Sequence, residues 1–203
     1  MNIHDATSDW ITQPGKSACL PTCIYNVLSD ISKDSRNIDS MSYEFKKISK
    51  EVEYDEDLGT PVDNAVSGIK RMFSKDKIVQ WGVQTSEMTG NQHIDRICDI
   101  ISSKNSSFPI VSLGPKYLEE IYNFKFEGHH FTWPSHTVIA LLCDKDRIHI
   151  FDPYSPIGKG PRVRSLDNYS FEKYTLDASP RNWTMWFEMK IFPIDGYLTG
   201  DRK

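Results

Sequence analysis

Ser135-His136-Thr137-Val138-Ile139-Ala140-Leu141-Leu142-Cys143-Asp144-Lys145-Asp146-Arg147-Ile148-His149-Ile150-Phe151-Asp152-Pro153-Tyr154 reads as two strands joined by a short charged turn. A His heads the first strand and an Asp-Pro closes the second. If Asp144-Lys145-Asp146 is a three-residue loop, Cys143 pairs with Arg147 and Val138 therefore pairs with Asp152. Side chains alternate along a strand, so His136 shares a face with Val138. Asp152 then lies diagonally across from His136, within reach of a His–carboxylate contact. The inference depends on the turn, because a two-residue loop puts His136 and Asp152 on opposite faces.

A second stretch, Gln13-Pro14-Gly15-Lys16-Ser17-Ala18-Cys19-Leu20-Pro21-Thr22-Cys23, opens a helical pattern. Leu20, Cys23, Ile24, Val27 and Leu28 recur at helical spacing, which predicts a helix from Cys19 to about Ser29. Pro21 falls in its first turn, where proline is tolerated. A thiol at a helix N-terminus faces unpaired backbone N–H groups and the positive end of the dipole. Both favour thiolate, which is the nucleophilic form. Gln13 is a candidate to donate its side-chain amide to an oxyanion beside the Cys19 backbone N–H. Taken singly, each residue has a plainer reading: a structural Cys, a strand-end His, a turn Asp, a solvated loop Gln. Together and in this order, Gln13, Cys19, His136 and Asp152 supply the side chains of a thiol-nucleophile enzyme.

The rest of the chain predicts an α+β domain, with helices dominating the first half and strands the second. Helices are expected at 41–52, from Val62 to about Phe73 behind Thr60-Pro61, and from Asn91 to Ser102 on Ile94, Ile97, Cys98 and Ile101. Strands are expected at 77–83, 109–113, 169–176 and 183–192. Residues 114–134 read as irregular. Their aromatics, including Tyr117, Tyr122 and Phe124, are assigned to packing between two lobes, with some lining a cleft as the alternative, since they lead directly into His136. The tail after Pro193 reads as loosely held.

The 203 residues suit one domain over 1–203, and 38% hydrophobic content is enough for a packed core. Net charge is −4, and no Lys/Arg run tracks a phosphate backbone, so nucleic acid is not an expected partner. The longest apolar run, Val138 to Cys143, is too short to span a bilayer, and no membrane partner is expected. Met1 to Trp10 lacks the basic-then-apolar order of a signal peptide, so the expected location is cytoplasmic. Four Cys do not read as a disulfide framework, and Cys23, Cys98 and Cys143 read as small buried hydrophobes. No paired Cys knuckles indicate zinc. His129-His130 point apart in an extended chain, so neither metal nor cofactor is expected. Oligomeric state is not legible.

The Gln-x5-Cys spacing, the distant strand-heading His and the Asp-Pro closing the next strand resemble the papain-like cysteine peptidases. The nearest resemblance is to stand-alone relatives of the bacteriocin-leader (double-glycine) peptidase domain. Those typically read Gln-x5-Cys-Gly-x-x-Cys, and Gln13, Cys19 and Cys23 fall on that spacing. The resemblance is specific over roughly 11–30 and 135–156. Leu20 stands where the family has Gly, and Ala18 where it has an acidic residue. The departures argue against strict double-glycine specificity, and Leu20 is the residue expected to crowd the cleft. The resemblance implies a two-lobed fold, with N-terminal helices packed on a C-terminal antiparallel sheet. It also implies a thiol hydrolase acting on a peptide or isopeptide bond of a peptide or protein substrate. In it Cys19 is the nucleophile, His136 the acid–base, Asp152 its orienting residue and Gln13 an oxyanion donor. Two alternatives use the same site: acyl transfer of the transglutaminase type, and a catalytically inactive papain-like binding module.

Overall fold

The computed structural model describes residues 7–15, 17–31, 41–74, 79–85, 91–103, 108–125, 135–154, 162–178 and 183–189. The described residues form an α+β structure of six helices and one six-stranded sheet. The helices are α1 (Cys19–Ile31), α2 (Met41–Glu51), α3 (Val62–Phe73), α4 (Asn91–Ser102), α5 (Pro115–Tyr122) and α6 (Asn168–Asp177). The strands are β1 (Val79–Thr85), β2 (Ile110–Leu113), β3 (His136–Asp144), β4 (Arg147–Phe151), β5 (Val163–Asp167) and β6 (Trp183–Met189). Their order across the sheet is β1-β6-β2-β3-β4-β5, and every neighbouring pair is antiparallel.

Both faces of this sheet are covered. On one face α1, α2 and α3 bury Ile24, Val27, Ile48, Ala65 and Ile69 against Ile110, Ile139, Phe151 and Phe187. On the other, α4, α5 and α6 bury Ile97, Tyr117, Phe171 and Tyr174 against Val111, Val138, Ile148 and Ile150. Inner strands read as continuous apolar runs because neither side meets water; β2 is buried at all four positions. The arrangement differs from helices first and sheet second, since the early β1 joins the sheet and the late α5 and α6 cover one face.

α1 is buried from Leu20 to Leu28, on its polar side as well. The Asn26 carboxamide explains how: it accepts from Ile11 N at 3.0 Å and donates to Ile11 O at 2.9 Å. This satisfies a buried amide and pins the segment that carries Gln13 alongside α1. α3 approaches the end of α2 so closely that a Cβ on Gly68 would lie 2.2 Å from Glu51 O.

Two segments fold otherwise than their sequence predicts. The expected strand at 169–176 is α6. Asp167 accepts from Ser170 N at 2.8 Å as a helix cap, and Phe171, Tyr174 and Thr175 fall on one buried helical face. The irregular stretch from 114 begins with α5. Pro115 takes the first helical turn and Asn123, at φ 56°, closes the helix in the left-handed region. His129, His130 and the tail after Pro193 lie outside the described residues. No described helix is long and apolar enough to cross a membrane.

Cys98 of α4 and Cys143 of β3 form a disulfide, with Cα atoms 5.7 Å apart. This corrects the reading of these two as free buried thiols. Cys19 and Cys23 remain free, and Cys23 is fully buried as its pattern predicts.

Candidate active site

His136 and Asp152 meet through a hairpin built differently from the expected one. The turn is Lys145-Asp146, two residues, with Asp144 opposite Arg147 and Cys143 opposite Ile148. That register alone would put His136 and Asp152 on opposite faces. A β-bulge between Ala140 and Leu142 shifts the pairing by one, so that Ala140 faces Ile150 and Ile139 faces Phe151. Continuing that register sets Val138 opposite Asp152, the pairing a three-residue loop would have produced. The bulge also turns Cys143 onto the face of α4, where Cys98 waits.

His136 Nε2 lies 2.7 Å from Asp152 Oδ1. Both side chains are out of water, His136 at 4% exposure and Asp152 at 0%. Burying such a pair is favourable only if its remaining polar atoms are satisfied, and those of Asp152 are. Oδ1 also accepts from Tyr154 N at 2.9 Å. Oδ2 accepts from Tyr117 OH at 2.5 Å and, at 2.7 Å, from Tyr122 OH, whose one hydrogen is shared with Tyr154 O; Arg164 Nε lies 3.8 Å away. The Tyr117 ring lies parallel to the imidazole, 5.6 Å between centroids and 7° between planes.

Cys19 is the first residue of α1 and is half-buried. Ala18 O closes the first helical turn by accepting from Thr22 N at 3.1 Å. Ser17 is held in turn by its hydroxyl, which donates to the carbonyls of Asp55 and Glu56. The thiol and the imidazole of His136 lie close enough to shift each other's titration. An imidazole has two nitrogens, and Nε2 is occupied by Asp152, so Nδ1 serves Cys19. One turn deeper, Cys23 Sγ lies 3.5 Å from Thr137 O. Leu20 is buried, in the core cluster that also holds Trp10 and Ile24.

The electrostatics favour separated charges. Burial pushes the Cys19 thiol up, but the hydrogen bond and charge of His136, with hydrogen bonds from Thr137, bring it below its ordinary value. Burial disfavours the imidazolium of His136. The charge and hydrogen bond of Asp152, then those of Cys19, outweigh it and push His136 up to about 10. Burial also raises Asp152, and His136 with the two tyrosine hydroxyls holds it below the usual carboxylate range. A lowered thiol beside a raised imidazole favours the thiolate–imidazolium form over the neutral pair. Cys23 behaves oppositely: burial, then the charges of Cys19 and Asp152, push it well above the ordinary thiol value.

The Gln13 backbone N–H donates to the carbonyl of Pro153, the residue after Asp152, at 3.0 Å. Its carboxamide Nε2 donates to Gly15 O at 2.6 Å. That uses one of its two hydrogens. Among the described residues no group of three or more His, Cys, Asp or Glu is placed to hold a metal ion.

Tyr117 and Tyr122 are expected as lobe packing, with cleft lining as the alternative, and their bonds to Asp152 are not foreseen; neither are Arg164 and the Thr137 contact. The signal for the tyrosines was the Tyr117, Leu118, Ile121, Tyr122 spacing behind Gly114-Pro115, a helix start masked by the aromatic composition around it. Arg164 lies on β5, far from any motif, and only folding reveals it.

No protein-family model matches the sequence, and no curated protein matches it.

Proposed function

We propose that this chain is a thiol hydrolase of papain-like, two-lobed type that cleaves a peptide or isopeptide bond in a peptide or protein substrate. The observation that carries the reading is the convergence of Cys19, His136 and Asp152, with the His136–Asp152 contact at 2.7 Å and the Cys19 thiol lowered by the neighbouring imidazole. The sequence resemblance over Gln13–Cys23 and His136–Asp152 supports it independently.

In this mechanism the Cys19 thiolate attacks the scissile carbonyl carbon, forming a C–S bond and an oxyanion. The Cys19 backbone N–H and the remaining Gln13 amide hydrogen stabilise that oxyanion. His136, as imidazolium, gives its Nδ1 proton to the departing amine when the C–N bond breaks. Water then attacks the thioester, His136 takes a proton from it, and the acid leaves as thiolate re-forms. Asp152 keeps the ring oriented and its charge stabilised throughout.

The test is an unbiased peptide pool incubated with wild-type protein, Cys19→Ala and His136→Ala, products being identified by mass. Cleavage by the wild type alone supports the reading. Cleavage surviving in Cys19→Ala would contradict it, and products joined to an added amine would replace hydrolysis with acyl transfer.

A further inference from the structure

We propose that Tyr117 and Tyr122 are positioning residues for the His136–Asp152 pair, holding the acid–base in its working geometry through their hydroxyls and the Tyr117 ring. The inference rests on the thiol-hydrolase reading and names parts of the site that the motif residues do not include.

A carboxylate offers about four lone-pair positions. Here Oδ1 receives His136 Nε2 and the Tyr154 N–H, and Oδ2 receives the Tyr117 hydroxyl and shares that of Tyr122 with Tyr154 O. With Oδ2 anchored, rotation about the side chain is closed off and Oδ1 is aimed at the imidazole. Both donors come from α5, so one rigid helix mounts the whole anchor. Tyr117 acts twice, since its ring also lies flat against His136. Tyr122 is itself braced: Arg164 donates to its hydroxyl at 3.2 Å, and the guanidinium lies 5.0 Å over its ring. Burial first, and then the Asp152 charge, keep both phenols protonated far into the alkaline range. They therefore remain donors wherever the enzyme works. A tyrosine serving packing alone would need neither the shared oxygen nor the parallel ring.

The test is the pH dependence of Cys19 alkylation by iodoacetamide in the full chain, followed by intact and peptide mass. Tyr117→Phe keeps the ring and removes the hydroxyl; Tyr122→Phe removes the other donor to the same oxygen. Each is expected to move the acid limb of alkylation upward by about one pH unit, the effect of losing one hydrogen bond to a buried charge. At a fixed pH below the limb, alkylation then slows about tenfold. If Tyr117→Phe does not fold, Tyr122→Phe decides, with the same expected shift. Folded variants that melt lower but keep the wild-type limb would overturn the proposal and leave the tyrosines as packing. A wild-type Cys19 that alkylates no faster than an ordinary thiol would sink the thiol-hydrolase reading itself.

Discussion

Asp152→Asn removes the charge that opposes burial at His136 and keeps the size of the side chain. His136 is pushed from its ordinary 6.5 to about 10, a rise equivalent to about 5 kcal/mol of preference for the imidazolium. After burial, which acts downward, Asp152 supplies the two largest influences on that value, its charge and its hydrogen bond. Without them burial dominates, and the imidazole is neutral at pH 7. Cys19 then loses the cation that lowers it, and its acid limb in iodoacetamide alkylation moves up toward the ordinary thiol range near 8.5. Alkylation at pH 7 is expected to slow, each unit by which the limb moves being a factor of about ten in thiolate. Stability falls too, because removing one partner of a buried pair costs about 3–5 kcal/mol. In a domain of this size that lowers Tm on the order of 10 °C. The pair also shapes the stability profile. Asp152, held below its unfolded value, stabilises above about pH 4 and ceases to as pH falls through its folded value. His136, raised, stabilises fully below about pH 6.5 and ceases to as pH rises through about 10. A folded Asp152→Asn protein with an unmoved acid limb would refute the reasoning.

Reducing the Cys98–Cys143 bond, or replacing both residues by Ala, should lower Tm. A sequence separation of 45 residues gives a chain-entropy contribution of about 4 kcal/mol, so an unchanged Tm on reduction would argue against the bond. Gly68→Ala should destabilise despite the better helix propensity of Ala, because the new Cβ would meet the Glu51 carbonyl at 2.2 Å; a raised denaturation midpoint would show that α2 and α3 are not so close. Cys23→Ala should retain turnover and lose stability, as its thiol is buried one turn behind Cys19.

The site was legible from sequence where chemistry and position coincide. Cys19 opening a helix and His136 heading a strand are local facts, visible in apolar spacing. The His136–Asp152 contact was reached through a three-residue loop, whereas the chain uses a two-residue turn and a bulge between Ala140 and Leu142. The pairing at Asp152 is the same because one inserted residue shifts register equally in a loop or in a strand. The disulfide was not legible, since Cys143 faces Cys98 only because of that bulge. It bears on the cytoplasmic expectation, as such bonds persist mainly in oxidising compartments. α6 was misread because Tyr169 and Phe171 alternate like a strand. Tyr169 is in fact 77% exposed, and the Asp167 cap decides for helix. Gln13 was placed beside Pro153 by the Asn26 anchor on Ile11, which no motif reveals.

The central claim is that Cys19, and not its neighbour one turn away, is the activated thiol. Limiting iodoacetamide applied to native protein near neutral pH, with peptide mapping of the adducts, tests it directly. The account expects Cys19 to label first, with Cys23 silent until unfolding and Cys98 and Cys143 silent until reduction. First labelling at Cys23, or at Cys98 or Cys143 without reductant, would contradict it.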